Sequence, residues 1–191
     1  MRKKNIIFII IFSKFLFVNQ ALAESKSKII DYIFSFDSFS SKFIQTDQES
    51  LSEGRLYLKD KRLKVEYLEP SLIELIISKN KAMYFNKELE EVEYFNPNKT
   101  IAKIFYDVFY NKTFFKNAKF SNENTFLVLS KKITIEQINY SIKILFENKP
   151  IVIRKVIIES DDNKINFGII DIDYNAFFEK KFFSMTHPLI K

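Results

Sequence analysis

The sequence contains no cysteine, only two glycines (Gly54 and Gly168) and a single histidine, His187. Without cysteine, disulfide bonds, thiolate metal sites and thiol catalysis are excluded. Two glycines are too few for a Gly-rich phosphate-binding loop. His187 stands beside Pro188 near the chain terminus, and no Ser-His-Asp arrangement can be assembled around it. We therefore expect no enzyme activity, no cofactor and no metal site.

The first 23 residues have the organisation of an export signal. Residues 2–4 are basic, residues 6–18 form a short apolar run, and residues 21–23 read Ala-Leu-Ala, the small-x-small pattern of a cleavage site. We predict that residues 1–23 are a cleaved signal peptide. The mature chain, residues 24–191, is then predicted to be one exported domain.

An uncleaved membrane anchor is the alternative interpretation of this segment. Its apolar run is shorter than the roughly 20 residues that a membrane-spanning helix needs, and Lys14 interrupts it. Cleavage removes four basic residues and no acidic ones, which lowers the basic count from 30 to 26 against 24 acidic residues and the formal charge from +6 to +2. The remaining charges are interspersed, so we expect no nucleic-acid partner.

The mature chain begins with a helical pattern and continues with strands. Ile29, Ile30, Ile33 and Phe34 form an apolar stripe of helical spacing that ends near Asp37. Alternating or apolar runs then predict strands in segments 39–45, 56–58, 63–67, 72–78, 82–85, 92–94, 125–130, 141–146, 151–159, 164–173 and 181–185. The connections are too short for crossover helices, so the sheet is predicted to be antiparallel, with about ten or eleven strands.

A second helix is predicted between the two blocks of strands, with Asn98 as its N-cap. Its apolar face consists of Ile101, Ile104, Phe105, Val108 and Phe109. In several strands apolar side chains point to both faces, which two short helices alone cannot cover. The sheet therefore either folds into a sandwich or curls around a cavity that a ligand fills.

Several segments, in this order along the chain, resemble motifs of the periplasmic outer-membrane lipoprotein carrier family, LolA. They are residues 36–45 (similar to Phe-x-x-x-Phe-x-Gln), Gly54 before Leu56 and Leu58, residues 65–70 (Val-Glu-Tyr-Leu-Glu-Pro, where the family commonly has Trp-Glu-Tyr and a proline), residues 77–85, residues 89–92, and residues 182–188 (similar to a closing Phe-x-Phe-x-x-Pro strand). No single segment is specific, but their order spans nearly the whole mature chain.

The resemblance implies an incomplete, or half, antiparallel β-barrel, mostly β with a few helices, whose helical lid closes an apolar cavity. It implies a chaperone that binds the acyl chains of lipoproteins released from the inner membrane and carries them to the outer membrane. The implied partners are acylated lipoproteins, an inner-membrane lipoprotein-releasing ABC transporter and an outer-membrane acceptor. We expect a monomer located in the periplasm.

From the strand and helix patterns together with this resemblance, we predict two groups of site residues. The acyl-chain cavity is predicted to be lined by Leu56, Leu58, Val65, Tyr67, Met83 and Phe85. The lid helix is predicted to contribute Ile101, Ile104, Phe105, Val108 and Phe109.

The chain departs from the family near residues 59–61. The family's Arg-Pro dipeptide, whose arginine is thought to tie the lid to the barrel, is missing there. Lys59 is the possible lid-gating position, although a lysine lacks the planar fork with which arginine bridges two carbonyls.

Other functions stay open from the sequence alone. A related half-barrel could carry or sense another lipid or glycolipid, and an exported β-sandwich with a filled core could act in protein interaction without binding any ligand. The carboxylate pairs Asp161-Asp162 and Asp171 with Asp173 could in principle hold a cation. Their positions, in a predicted turn and on the polar face of a predicted strand, indicate simple solvation instead.

Overall fold

The computed structural model describes residues 24–47 and 50–189. In this part of the chain, residues 24–33 are helical and are called α1, and Ala102–Tyr110 form α2. Short 3-10 segments, Pro97–Lys99 and Lys112–Phe115, flank α2. None of these helices is long and apolar enough to cross a membrane. The signal peptide predicted for residues 1–23 lies outside the described residues, so its cleavage stays a prediction.

Eleven strands form one antiparallel sheet among the described residues. They are β1 (Ser38–Thr46), β2 (Leu51–Lys59), β3 (Arg62–Glu69), β4 (Ile73–Ile77), β5 (Ala82–Asn86), β6 (Glu91–Phe95), β7 (Lys119–Glu123), β8 (Phe126–Ile135), β9 (Ile138–Asn148), β10 (Ile151–Glu159) and β11 (Lys164–Asp173). Their order is β6-β5-β4-β3-β2-β1-β11-β10-β9-β8-β7, so β6 and β7 are edges and the sheet does not close. The predicted incomplete antiparallel barrel is confirmed.

Short hairpins follow from local sequence. The β2–β3 hairpin pairs Lys59 with Arg62, leaving Asp60 and Lys61 as a two-residue loop with φ values of 51° and 56°. Two successive positive φ angles are the geometry of a type I′ turn, whose twist matches that of the flanking strands. The loop therefore fixes the register of β3, which decides the face on which each of its side chains lies.

The face of the sheet that α1 and α2 cover, here called the inner face, carries the main hydrophobic core. Phe39, Leu63, Ile144 and Phe146 from three strands are at most 1% exposed, and both helices pack onto the same apolar cluster. Burying a side chain of this size contributes on the order of 1.5–3 kcal/mol. The core therefore supplies the stability that disulfides supply in many exported proteins.

The opposite face, here called the outer face, is covered in part by the C-terminal segment, residues 176–189. Tyr57 of β2 is buried there against Phe178 and Phe183. The Arg62 guanidinium donates a hydrogen bond of 2.6 Å to the carbonyl of Phe183, and Tyr94 donates one of 3.1 Å to that of Met185. The chain end is thus attached to the sheet by side chains.

The strand predicted at residues 181–185 was wrong, because the segment forms turns. The amide of Phe182 donates to the carbonyl of Glu179, and that of Ser184 to the carbonyl of Lys181. These turns bring Phe178 and Phe182 together, with ring centroids 4.9 Å apart. Apolar side chains four residues apart favour such a turn over strand alternation.

Three other features of the secondary structure differ from the sequence predictions. Strand β7 was missed, because its sequence Lys-Phe-Ser-Asn-Glu is polar and exposed except for a half-buried Phe120. Helix α1 ends at residue 33, before Asp37. Asn98 is not the cap of α2: the Asn96 side chain caps the preceding 3-10 segment, and the Thr100 hydroxyl accepts a hydrogen bond from the amide of Ala102.

Candidate functional site

A cavity of about 100 Å³ lies on the inner face beneath the N-terminal half of α2. Strands β1, β3, β4 and β11 form its walls. It is lined by Gln45, Val65, Tyr67, Leu75, Ile77, Ile101, Ala102, Phe105, Ile165 and Phe167. Eight of these ten side chains are apolar, so the cavity suits a hydrocarbon ligand.

The sequence of α2 explains why this helix covers the cavity. Ala102, Ile104, Val108 and Phe109 are buried and join the inner-face core, which gives α2 one apolar face. Phe105 reaches over the cavity and meets the ring of Phe167 edge to face, at 5.1 Å between centroids. The helix therefore acts as the roof of the cavity.

Side-chain hydrogen bonds tie this roof to the sheet at two places. The Tyr110 hydroxyl, at the end of α2, donates a bond of 2.8 Å to the carbonyl of Arg62. The Lys131 ammonium of β8 donates to the carbonyls of Phe114 and Lys116, the latter at 3.0 Å, and so holds the 3-10 segment that follows α2. We call α2 and this segment, Lys112–Phe115, the lid.

Burial affects both donors. It raises the pKa of Tyr110 far above its ordinary value, so the phenol stays protonated and keeps donating. Burial also lowers the pKa of Lys131.

Four of the six predicted lining residues lie on the inner face. Val65 and Tyr67 line the cavity itself. Leu56 and Leu58 are buried in the core, at 0% and 3% exposure. Their predicted contact with acyl chains stays a prediction.

The other two, Met83 and Phe85, lie on the opposite face from the one predicted. The register of β5 pairs Met83 with Ile76 and Phe85 with Glu74, whose side chains lie on the outer face with Lys64 and Glu66 of β3. Neighbouring side chains along a strand alternate between faces, so Ala82, not Met83, joins the inner-face core. Because β5 carries apolar side chains on both faces, the sequence could not decide its parity.

The predicted lid residues separate into two groups. Ile101 and Phe105 line the cavity. Ile104, Val108 and Phe109 point into the surrounding core, where each is at most 3% exposed. The helical stripe was therefore correct, but only its edge meets the empty space.

Sequence reasoning missed six lining residues. They are Gln45, Leu75, Ile77, Ala102, Ile165 and Phe167. The β3–β4 register pairs Leu75 with Val65 and Ile77 with Leu63, so these side chains lie on the same face of the sheet. That register follows from the hairpin turns. Gln45 was part of a recognised motif, yet its neighbours across the sheet were needed to place it at the cavity.

Lys59, the predicted gating position, ends β2 opposite Arg62. Among the described residues, its side chain makes no hydrogen bond or ion pair. The hairpin still meets the lid, but the donor is the Tyr110 hydroxyl and the acceptor is the carbonyl of Arg62. A gating role of Lys59 stays a prediction.

One polar pair interrupts the apolar lining. The Tyr67 hydroxyl donates a hydrogen bond of 2.9 Å to the side-chain oxygen of Gln45. Burial raises the pKa of Tyr67 to about 12, so this hydroxyl remains a donor at neutral pH. Gly54 lies between them in β2, and the rings of Tyr67 and Phe43 meet across it at 5.1 Å.

The fold is therefore an open antiparallel half-barrel in which a helix covers an apolar cavity. The model of the outer membrane lipoprotein carrier protein LolA family matches residues 35–186. The chain therefore belongs to the LolA family. None of the curated proteins compared with the sequence matches it.

A solved structure with a very different sequence shares the fold. An uncharacterized conserved protein from Thermus thermophilus superposes with a TM-score of 0.54 at 8% identity, covering 84% of this chain and 91% of that one. Two further structures are similar at lower scores. The MucA/MucB complex of Pseudomonas aeruginosa gives a TM-score of 0.47 at 8% identity, covering 84% and 59%. LprF from Mycobacterium bovis gives 0.41 at 9% identity, covering 82% and 95%.

Proposed function

We propose that this protein is a non-catalytic periplasmic carrier, which binds the acyl chains of lipoproteins released from the inner membrane and delivers them to the outer membrane. The observation that carries the proposal is the apolar cavity beneath α2, on the inner face of a LolA-family half-barrel. Its partners would be acylated lipoproteins, an inner-membrane ABC transporter that releases them and an outer-membrane acceptor. The carrier would work as a monomer.

The energetics of an acyl chain explain why a carrier needs such a cavity. Burial of a hydrocarbon chain is worth about 0.8 kcal/mol per CH₂, so a single long chain exposed to water costs on the order of 10 kcal/mol. A lipoprotein leaving a membrane therefore requires an apolar shelter. A wall made of Val65, Leu75, Ile77 and Phe167 provides one.

The size of the cavity requires the lid to move. Pockets that bury a drug-sized ligand have volumes of about 300–1,000 Å³. The cavity here, at about 100 Å³, is too small for a whole acyl chain. Because no strand pairing joins α2 to the sheet, α2 can move outward when its side-chain contacts are exchanged for contacts with the ligand. We propose that binding displaces the lid.

The first experiment measures binding of acyl ligands to the protein purified from the periplasm of an expressing host. A thermal shift series would use a fatty acid, an acylated peptide and a non-ionic detergent. We expect each to raise the melting temperature, because a ligand that binds only the folded state stabilises it. Phe105→Asp should abolish the shift by placing a charge in the cavity roof, whereas Phe177→Asp, at a residue that is 88% exposed, should leave it unchanged.

A second experiment tests the cargo. The purified protein is added to spheroplasts, and released lipoproteins are detected in the supernatant. Release by wild type, with none from Phe105→Asp, supports the proposal. Acyl-ligand binding without release of any of several native lipoproteins would overturn the lipoprotein assignment and leave a carrier of other lipids. Indifference to every ligand would overturn the carrier function altogether.

A further inference from the structure

The lining of the cavity contains a side-chain amide, that of Gln45, of which only the oxygen bonds to another described side chain. The Gln45 side-chain oxygen accepts from Tyr67, and this fixes the orientation of the amide. The amide nitrogen carries two N–H donors, and it has no acceptor among the described residues. The other lining side chains are apolar, so they offer no partner.

The position of this donor is the edge of the cavity. Gln45 is the second-last residue of β1 and is only partly buried. It pairs with Phe167 of β11, another lining residue. A ligand whose hydrocarbon chain fills the cavity would therefore bring its head group close to Gln45.

We propose that Gln45, held by Tyr67, is a specificity-determining residue that donates a hydrogen bond to the carbonyl oxygen at the head of an acyl chain. The inference rests on the proposed acyl-chain binding and deepens it, because it assigns a residue to the carbonyl through which an acyl chain is joined as an ester or an amide. Such a carbonyl only accepts hydrogen bonds, which matches a group with free donors. Tyr67 is a positioning residue, since it keeps the amide oxygen engaged and the nitrogen available.

The packing of Tyr67 across the sheet holds its hydroxyl in position to bond to Gln45. Tyr67 lies in β3 and Gln45 in β1, two strands apart. They meet because Gly54, in the intervening β2, has no side chain above the inner face, and the Tyr67 ring packs over Phe43 instead. A tyrosine held in this way has little rotational freedom, and so its hydroxyl is placed in advance.

The test compares two ligands that differ only in the carbonyl. Methyl decanoate and decyl methyl ether have the same chain length, and the ether lacks the carbonyl oxygen. Both are used to displace the neutral apolar dye phenylnaphthylamine from the protein purified from the periplasm. We expect wild type to prefer the ester by a factor between about twofold and tenfold, the range of one net hydrogen bond.

Variants separate recognition from a structural role. Gln45→Met keeps the length of the side chain and should remove the ester preference, so that the ratio of ester to ether affinity falls to about one. Tyr67→Phe should weaken the preference in the same direction, because the amide is no longer oriented. Phe105→Ala, by contrast, should weaken both ligands equally, since it removes only apolar contact.

The outcomes distinguish this inference from the function on which it rests. If wild type binds neither ligand and the dye is not displaced, acyl-chain binding itself fails. If wild type binds both ligands with equal affinity, or if Gln45→Met retains the ester preference, carbonyl recognition is wrong and acyl-chain binding stands. Where a variant does not fold, equal affinity of wild type for the ester and the ether still overturns carbonyl recognition.

Discussion

The two faces of the sheet are covered by different means. On the inner face, α1 and the lid pack apolar side chains against apolar side chains, and the lid adds a few hydrogen bonds to main-chain carbonyls. On the outer face, Lys64 lies under the C-terminal segment at 7% exposure, between Glu66 at 3.0 Å and Glu74 at 3.2 Å. Its ammonium also lies 4.2 Å from the centre of the Phe182 ring.

This difference indicates which of the two, the lid or the C-terminal segment, can move when a ligand binds. Lifting the lid exposes apolar surface, and a hydrocarbon ligand can cover that surface again. Lifting the C-terminal segment would expose the aromatic residues around Tyr57 and remove the Phe182 carbonyl and ring from Lys64, with no ligand of matching chemistry to replace them. We therefore expect the inner face to open for the ligand and the outer face to stay closed.

The largest effect is expected where the inner face is tightest. A Cβ added at Gly54 would lie 2.0 Å from the carbonyl oxygen of Glu66 and 2.6 Å from the Phe43 ring. Because the first contact is with backbone, β2 and β3 would have to separate. Gly54→Ala should lower the free energy of unfolding by about 3 kcal/mol or more, at the upper end of the cost of overpacking. Urea unfolding of the purified wild type and variant measures this loss in the free energy of unfolding.

Gly168 provides the matched control. A Cβ at Gly168 meets its nearest heavy atom, the carbonyl oxygen of Ile44, at 3.5 Å, which is ordinary contact. Gly168→Ala should therefore change stability by less than about 1 kcal/mol. Equal destabilisation by the two substitutions would show that the close packing of β3 and Phe43 around Gly54 does not exclude a larger side chain there.

A smaller effect is expected on the outer face, and it depends on pH. Burial tends to raise the pKa of Glu66, but the hydrogen bond and charge of Lys64 outweigh it and hold that pKa below its ordinary value of 4.5. A lowered folded pKa gives stability that is present above pH 4.5 and lost as the pH falls through the folded value. Lys64→Met should cost about 1–3 kcal/mol at pH 7, because two largely buried carboxylates lose a partner.

Acid titration of stability then tests the cause. Lys64→Met should lose less additional stability than wild type below pH 4.5, since Glu66 has lost the partner that lowers its pKa. Lys143→Met is the control, because its ion pair with Glu123 is 3.9 Å long and about half exposed, and such pairs contribute little. A Lys64→Met variant as stable as Lys143→Met at pH 7 would contradict the buried network.

The sequence predicted the inner face better than the outer one, for a physical reason. Alternation in Leu63, Val65 and Tyr67 and the stripe of α2 both mark a single buried face, and both were located correctly. Met83 is buried on the outer face, which is covered in part by a C-terminal segment distant in sequence. Because both faces of β5 carry apolar residues, only its register with β4 reveals the parity.

The site was predictable to a similar extent. The helix between the two blocks of strands followed from the chain itself, which left a filled sandwich and a cavity both open, and the family resemblance gave the half-barrel with its cavity. The contacts that hold the lid could not be foreseen, because their donors lie elsewhere in the chain than the predicted gating position Lys59. Tyr110 and Lys131 are far from residues 59–61 in sequence, and both bind main-chain carbonyls, which leave no signature in the side-chain pattern.

The smallest expected effect on stability concerns the lid itself. Tyr110→Phe removes one hydrogen bond, to the carbonyl of Arg62, and should lower global stability by about 1 kcal/mol. Because this bond ties α2 to the β2–β3 hairpin, its loss should act locally: amide hydrogen exchange should accelerate in residues 102–115 and stay unchanged in β9 and β10. Acyl ligands should also associate faster, since less is broken when the lid lifts. Tyr106→Phe is the control one turn earlier, because the Tyr106 hydroxyl makes no hydrogen bond among the described residues. Equal rates of amide exchange in the two variants would mean that packing alone, and not the Tyr110 hydroxyl, holds the lid closed.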